Sequence, residues 1–237
     1  MNFRKINMET WNRADVFRHF IDDVRCVMSL TVDMDITDFL CRLHQKNYKF
    51  YPAMMWVVSS AVNSRKEFRM GYDEQGNPGI WDYVSPYYTH FHKEDEQFVK
   101  LVTEYHSDFQ TFYQRFLMDQ EKYKDYRGFD LKEVPSNVFD LSCLPWVHYR
   151  NFDMHIFDSG TYLAPVITWG KYSKSPDGRT ICSAVNLPPT SMRQSSCGIQ
   201  NIRTAPGSEL SKPAGPSDRW EARRNTACPG GEPHAAG

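Results

Sequence analysis

The apolar and polar residues change period several times along the chain, and each period predicts an element. From Asn12 to Ile21, the residues Val16, Phe17, Phe20 and Ile21 recur at helical spacing, which predicts a short amphipathic helix with Asn12 as its N-cap. Met28 to Ile36 alternates apolar and polar residues and predicts a strand with one buried face, followed by a helix over 37–45. Tyr51 to Val62 is apolar nearly all round and carries Pro52 in its first turn, the mark of a buried helix. Strands are predicted over 67–72, 79–84 and 86–92, the first two separated by the turn-rich stretch Asp73 to Gly79. Between Asp108 and Tyr126, the residues Phe109, Phe112, Tyr113, Phe116 and Leu117 repeat at three and four, predicting a helix capped by Ser107 or Asp108. Strands over 137–143, 152–158 and 163–170 follow. Ser175-Pro176-Asp177-Gly178 then reads as a hairpin turn, which demands a partner strand.

Beyond that turn the pattern fails. Ile181 to Leu187 runs into Pro188-Pro189, and proline is excluded from central strands, so no partner strand is predicted. Residues 181–237 hold seven Pro, six Gly and seven Ser against six Ile, Leu, Val or Phe and one aromatic, Trp220. About a tenth of strongly apolar residues is well under the roughly 20% below which a packed core is not expected. The chain therefore divides into a patterned domain over 1–180 and a tail over 181–237 with little capacity to fold.

Composition excludes several classes of function. The 237 residues carry 28 Lys and Arg against 29 Asp and Glu, and the basic residues are scattered rather than gathered. No nucleic-acid or anionic-membrane partner is implied. No stretch approaches the roughly 18 to 20 apolar residues of a membrane span, and no signal-peptide run follows Met1, so a cytoplasmic location is expected. Cys26, Cys41, Cys143, Cys182, Cys197 and Cys228 include no close pair, which suggests neither a zinc site nor a disulfide framework; the first three read as buried free thiols.

Seven segments, taken in order, resemble chloramphenicol acetyltransferase: Trp11-Asn12-Arg13, Tyr48 to Ala53, Glu67 to Met70, Tyr88 to His92, Ser107-Asp108-Phe109, Leu144 to Val147, and Ala164 to Tyr172. Their order and spacing match from near the start to about Thr180. The resemblance implies a two-layer α/β sandwich, here incomplete at its C-terminal end, and a homotrimer with active sites at subunit interfaces. It implies the activity as well, transfer of acetyl from the cosubstrate acetyl-CoA to a hydroxyl of chloramphenicol, with no metal.

The departures from the family pattern carry as much information. Members use a histidine general base within a C-terminal segment reading HHAVCDGFH, and an imidazole near neutral pKa suits removal of the hydroxyl proton. That segment belongs near 190–200, where Thr190 to Gly198 stands instead. The tail's one histidine, His234, lacks a following Asp-Gly. A shift of reading frame near codon 180 would account for the break. The family's PWVxFxSF pattern places an oxyanion-binding serine where this chain has Asn151, whose amide can also donate. Arg13 matches an arginine that pairs with the aspartate of the absent segment, and is expected to lose its partner.

Other chemical candidates have structural readings. His19 and Asp23 have an HxxxD spacing, yet on a helix they are i, i+4 neighbours. His90 and His92 share one face of a strand without a third metal ligand. His148 and His155 flank the Pro145-Trp146 segment, from which either could reach the base position that the resemblance implies. Phe20, Phe98 and Leu163 fall where it implies an apolar lining for the antibiotic.

Overall fold

The computed structural model describes residues 2–24, 29–152 and 162–187. Strand β1 (Phe3–Lys5) is followed by α1 (Ala14–Arg18), which continues as a π-helical turn over His19–Val24. Next come β2 (Leu30–Asp35), α2 (Thr37–Gln45) and α3 (Phe50–Asn63). A 3₁₀ turn (Lys66–Arg69) leads into β3 (Met70–Tyr72), β4 (Pro78–Trp81), β5 (Ser85–His92) and β6 (Gln97–Val102). The order ends with α4 (Phe109–Tyr123), β7 (Val138–Leu144), β8 (Val166–Gly170), β9 (Ser173–Lys174) and β10 (Thr180–Leu187).

Two sheets result. The small one has the order β1-β4-β3, and the large one β2-β10-β8-β7-β5-β6 with β9 paired to β10. In the large sheet β5, β7 and β8 run parallel, while β2, β6 and β10 pair antiparallel with their neighbours. Its inner face carries Tyr88, Val99, Leu101, Phe139, Leu141, Ile167, Trp169, Cys182 and Ala184, all buried in one cluster with α2, α3 and α4. Eight residues of α3 are buried, which is why its sequence is apolar nearly all round. In α4 the buried set is Phe109, Phe112, Tyr113 and Phe116, the stripe that periodicity predicts. Asp108 caps this helix by accepting from the Thr111 N–H at 2.9 Å. Asp108→Ala is expected to cost about 1 kcal/mol, read as a lowered midpoint in urea unfolding.

The predicted helices over 37–45 and 51–62 are present, as are the strands that became β2, β4, β5, β7 and β8. The segment over 67–72 is a 3₁₀ turn before it is a strand. The short strands β1 and β6 went unpredicted. Arg13 rather than Asn12 occupies the N-cap position of α1, without a side-chain cap, because the helix begins one residue later than predicted. The predicted strand over 152–158 lies almost wholly outside the described residues.

The largest correction concerns the hairpin. Ser175 N–H donates to the Arg179 carbonyl at 2.7 Å, Gly178 takes φ +86°, and the partner strand does arrive as β10. Residues 181–186 pair with β2 and residues 184–187 with β8, so β10 lies inside the sheet. Cys182 and Ala184 alternate onto the core face. Pro188-Pro189 come directly after the last paired residue and end the strand instead of interrupting it. The described strand thus extends to Leu187, past the boundary expected at 180. Residues 188–237 lie outside the described residues, and with them His234, Cys197 and Cys228. A second correction is chemical: Cys41 is disulfide-bonded, not a free thiol, and Cys26 lies outside the described residues. Cys143 and Cys182 are free, and burial pushes both thiols up to about 12.

Candidate active site

Alternation along the strands sends a different set of side chains to the outer face of the large sheet. Cross-strand register aligns Thr31 of β2 with Val185 of β10, Val185 with Thr168 of β8, and Thr168 with Ser142 of β7. A transverse row rich in hydroxyl side chains therefore crosses four strands. One step along, the Ser183 hydroxyl donates to Asp33 at 2.5 Å. Further across the same face, Lys100 Nζ meets Asp140 at 2.7 Å and stands 3.5 Å above the Tyr87 ring, while the Tyr162 hydroxyl donates to Asp140. Burial beside that carboxylate raises the Tyr162 phenol and keeps it protonated.

A loop after β7 lies against the hydroxyl row and is pinned to it repeatedly. Lys171 N–H donates to the Val147 carbonyl at 2.8 Å, and the buried Tyr149 hydroxyl donates to the Thr168 carbonyl at 2.9 Å. Thr31 Oγ1 donates to Asn151 Oδ1 at 3.0 Å, and Ser29 Oγ to the Phe152 carbonyl at 3.3 Å. The Tyr149 and Phe152 rings stand 5.5 Å apart. Gly170 is what admits this loop: a Cβ there would lie 2.8 Å from the Tyr149 ring and 2.9 Å from the Val147 carbonyl. Gly170→Ala is expected to cost about 1–3 kcal/mol through overpacking, and to weaken ligand binding by shifting residues 147–152. Urea unfolding and calorimetry would measure the two effects.

Two polar groups at this site remain unmatched among the described residues. Thr168 Oγ1 is buried without a hydrogen-bond partner, and the exposed Asn151 carboxamide accepts through its oxygen while its Nδ2 donates to nothing described. A buried orphan hydroxyl costs about 1–3 kcal/mol, and a bound ligand or water that engaged it would recover that.

The other sequence candidates are dispersed. Leu163 is 2% exposed and packs with Phe17, Ile21 and Met70 in a second apolar cluster, and half-buried Phe20 lies on the adjoining π-helical turn. Phe98, on edge strand β6, is 45% exposed and contacts Phe91 at a ring distance of 5.1 Å. Phe98 is not among the residues packed in that second cluster. His19 Nδ1 and Asp23 are 2.9 Å apart and both exposed, an i, i+4 pair. His148 Nδ1 lies 3.3 Å from the Lys171 carbonyl, while His155 lies outside the described residues. His90 and His92 stack edge to face at 4.9 Å. Burial and the neighbouring imidazole hold His90 below its ordinary value. No group of three or more His, Cys, Asp or Glu that could hold a metal gathers among the described residues. Arg13 is not left unpaired, since a guanidinium with five donors finds partners without the absent aspartate. Sequence reasoning missed Thr31, Tyr149 and Thr168; the one available signal was that each is polar within an otherwise apolar or alternating segment.

The chloramphenicol acetyltransferase family model matches residues 1–187. A chloramphenicol acetyltransferase of Clostridium butyricum is 41% identical over 175 residues, covering 73% of this chain and 80% of its own length. The chain belongs to the chloramphenicol acetyltransferase family. A relative of the same name from Staphylococcus aureus is 36% identical over 173 residues, 73% of this chain and 80% of its own. A solved chloramphenicol acetyltransferase superposes with a TM-score of 0.72 at 20% identity, covering 86% of this chain and 97% of its own. The fold extends to a dihydrolipoamide acetyltransferase of Azotobacter vinelandii, with a TM-score of 0.58 at 11% identity over 76% of this chain and 80% of its own. Family membership and the two-layer architecture agree, and no described helix is long and apolar enough to cross a membrane.

Proposed function

We propose that this chain is a chloramphenicol acetyltransferase homologue that retains the surface for antibiotic and acetyl-CoA but has lost, or nearly lost, acetyl transfer. The observation that carries the reading lies at the end of β10. This strand finishes at Leu187, and the residues after it, Pro188 to Gly198, contain no HHAVCDGFH segment and no histidine. The acceptor hydroxyl must lose its proton as it attacks the thioester, and a fixed imidazole is the group that does this in the family. Asn151 in the loop and Thr168 beneath it remain as donors toward a developing oxyanion. Phe20 and Leu163 contribute apolar lining from one subunit and Phe98 from another, in a cytoplasmic homotrimer with its sites between subunits.

A second reading is a purely non-catalytic antibiotic-binding protein, favoured by the unmatched donors at the hydroxyl row. Calorimetry with chloramphenicol, run beside a turnover assay, separates the readings: heat without product supports binding alone, slow product supports residual catalysis, and neither heat nor product removes both. Composition over 181–237 also supports a shifted reading frame as the origin of the tail. A shift after codon 187 rather than near codon 180 would leave β10 intact. Nucleotide sequence downstream of codon 187 with no HHAVCDGFH-like segment in any frame would rule this origin out.

A further inference from the structure

We propose that Thr31 and Tyr149 are positioning residues that set the orientation of the Asn151 carboxamide, so that its N–H groups face an acceptor oxygen on the antibiotic or the acyl thioester. The inference rests on the reading of the hydroxyl row as a ligand surface. Asn151 stands in a loop, and an exposed amide on a loop ordinarily turns over between two orientations of equal shape. Here Thr31 Oγ1 donates to Oδ1 at 3.0 Å, which assigns the oxygen inward and leaves Nδ2 outward. Thr31 is itself held by β2, whose partner β10 is interior to the sheet, so the donor has a rigid base.

Tyr149 fixes the other side of the loop. It is 8% exposed, and its hydroxyl donates at 2.9 Å to the carbonyl of Thr168, the residue aligned with Thr31 through Val185. The family's PWVxFxSF pattern has phenylalanine at this position, which fills the same space but cannot make the bond. The hydroxyl thus ties this loop to β8 two residues before Asn151. A serine at 151 would present one rotating hydroxyl, whereas the longer carboxamide is held at its oxygen by Thr31, and Tyr149 anchors the loop that carries it.

The test uses the full chain and a double-mutant cycle read by calorimetry, with chloramphenicol and acetyl-CoA titrated separately to show which supplies the acceptor oxygen. Asn151→Ala and the acceptor-only Asn151→Asp are each expected to weaken one ligand by about tenfold, the loss of one hydrogen bond. Thr31→Val, which keeps the β-branched shape of the strand, is expected to weaken the same ligand by about five- to tenfold, and Thr31→Ser to restore affinity. Tyr149→Phe is expected to act in the same direction. The combination of Thr31→Val with Asn151→Ala should bind no more weakly than Asn151→Ala alone, a non-additivity that a purely structural threonine would not produce. Additive losses, or Thr31→Val binding as the unmodified chain does while Asn151→Ala is impaired, would overturn the positioning role and leave ligand binding intact. Failure of the unmodified chain to bind either ligand would instead remove the ligand surface, and the positioning claim with it.

Discussion

With acetyl-CoA and chloramphenicol supplied together, the full chain is expected to turn over about 10² to 10⁴ times more slowly than the Clostridium butyricum relative, the usual cost of losing a general base. No described histidine is placed to substitute. His19 is engaged with Asp23, His106 Nδ1 accepts from the Asp108 N–H at 3.0 Å, and His90 and His92 face the helix layer from β5. His148 lies beside the Lys171 carbonyl in the loop, so it is the nearest imidazole to the hydroxyl row, but it is exposed. A spectrophotometric assay of released coenzyme A thiol measures the effect. Turnover within tenfold of the relative would show that another group supplies the base, and His148→Ala would then be the first variant to examine.

Ending the chain after Thr180 is expected to abolish the native fold, while ending it after Leu187 should preserve it. The shorter chain loses a strand paired with β2 on one side and β8 on the other, and uncovers core that Cys182 and Ala184 seal. Each ladder hydrogen bond contributes about 0.5–1.5 kcal/mol, so losing both ladders approaches the whole stability of an ordinary domain, about 5–15 kcal/mol. The longer chain keeps every described pairing. Near-UV circular dichroism and size-exclusion chromatography distinguish the outcomes: a native spectrum from the chain ending at Thr180 would mean that β10 is dispensable.

The same strand shows how local reading succeeds and fails. Ser175 to Gly178 announced a hairpin because turn chemistry is local, and a partner strand was demanded on that ground. Pro188-Pro189 argue locally against the partner, and the composition of residues 181–237 submerges the seven residues of β10 that fall within it. The two prolines were read as breaking a strand when they follow its last paired residue. Strand β6 was missed for a related reason: the register of Gln97 to Val102 with β5 is set across a turn rather than by its own pattern.

The site divides in the same way. Motif order along the chain was sufficient to assign the family, the antibiotic-modifying class of activity and the absence of the histidine segment, because these depend on which residues follow one another. Periodicity likewise determined α3 and α4, whose apolar stripes are properties of contiguous sequence. Only the tertiary structure decided that Thr31, Thr168 and Ser142, more than a hundred residues apart at the extremes, stand in one row. It alone brought Tyr149 and Asn151 against that row. Strand pairing joins residues without regard to their distance along the chain, so neither spacing nor composition carries a trace of it.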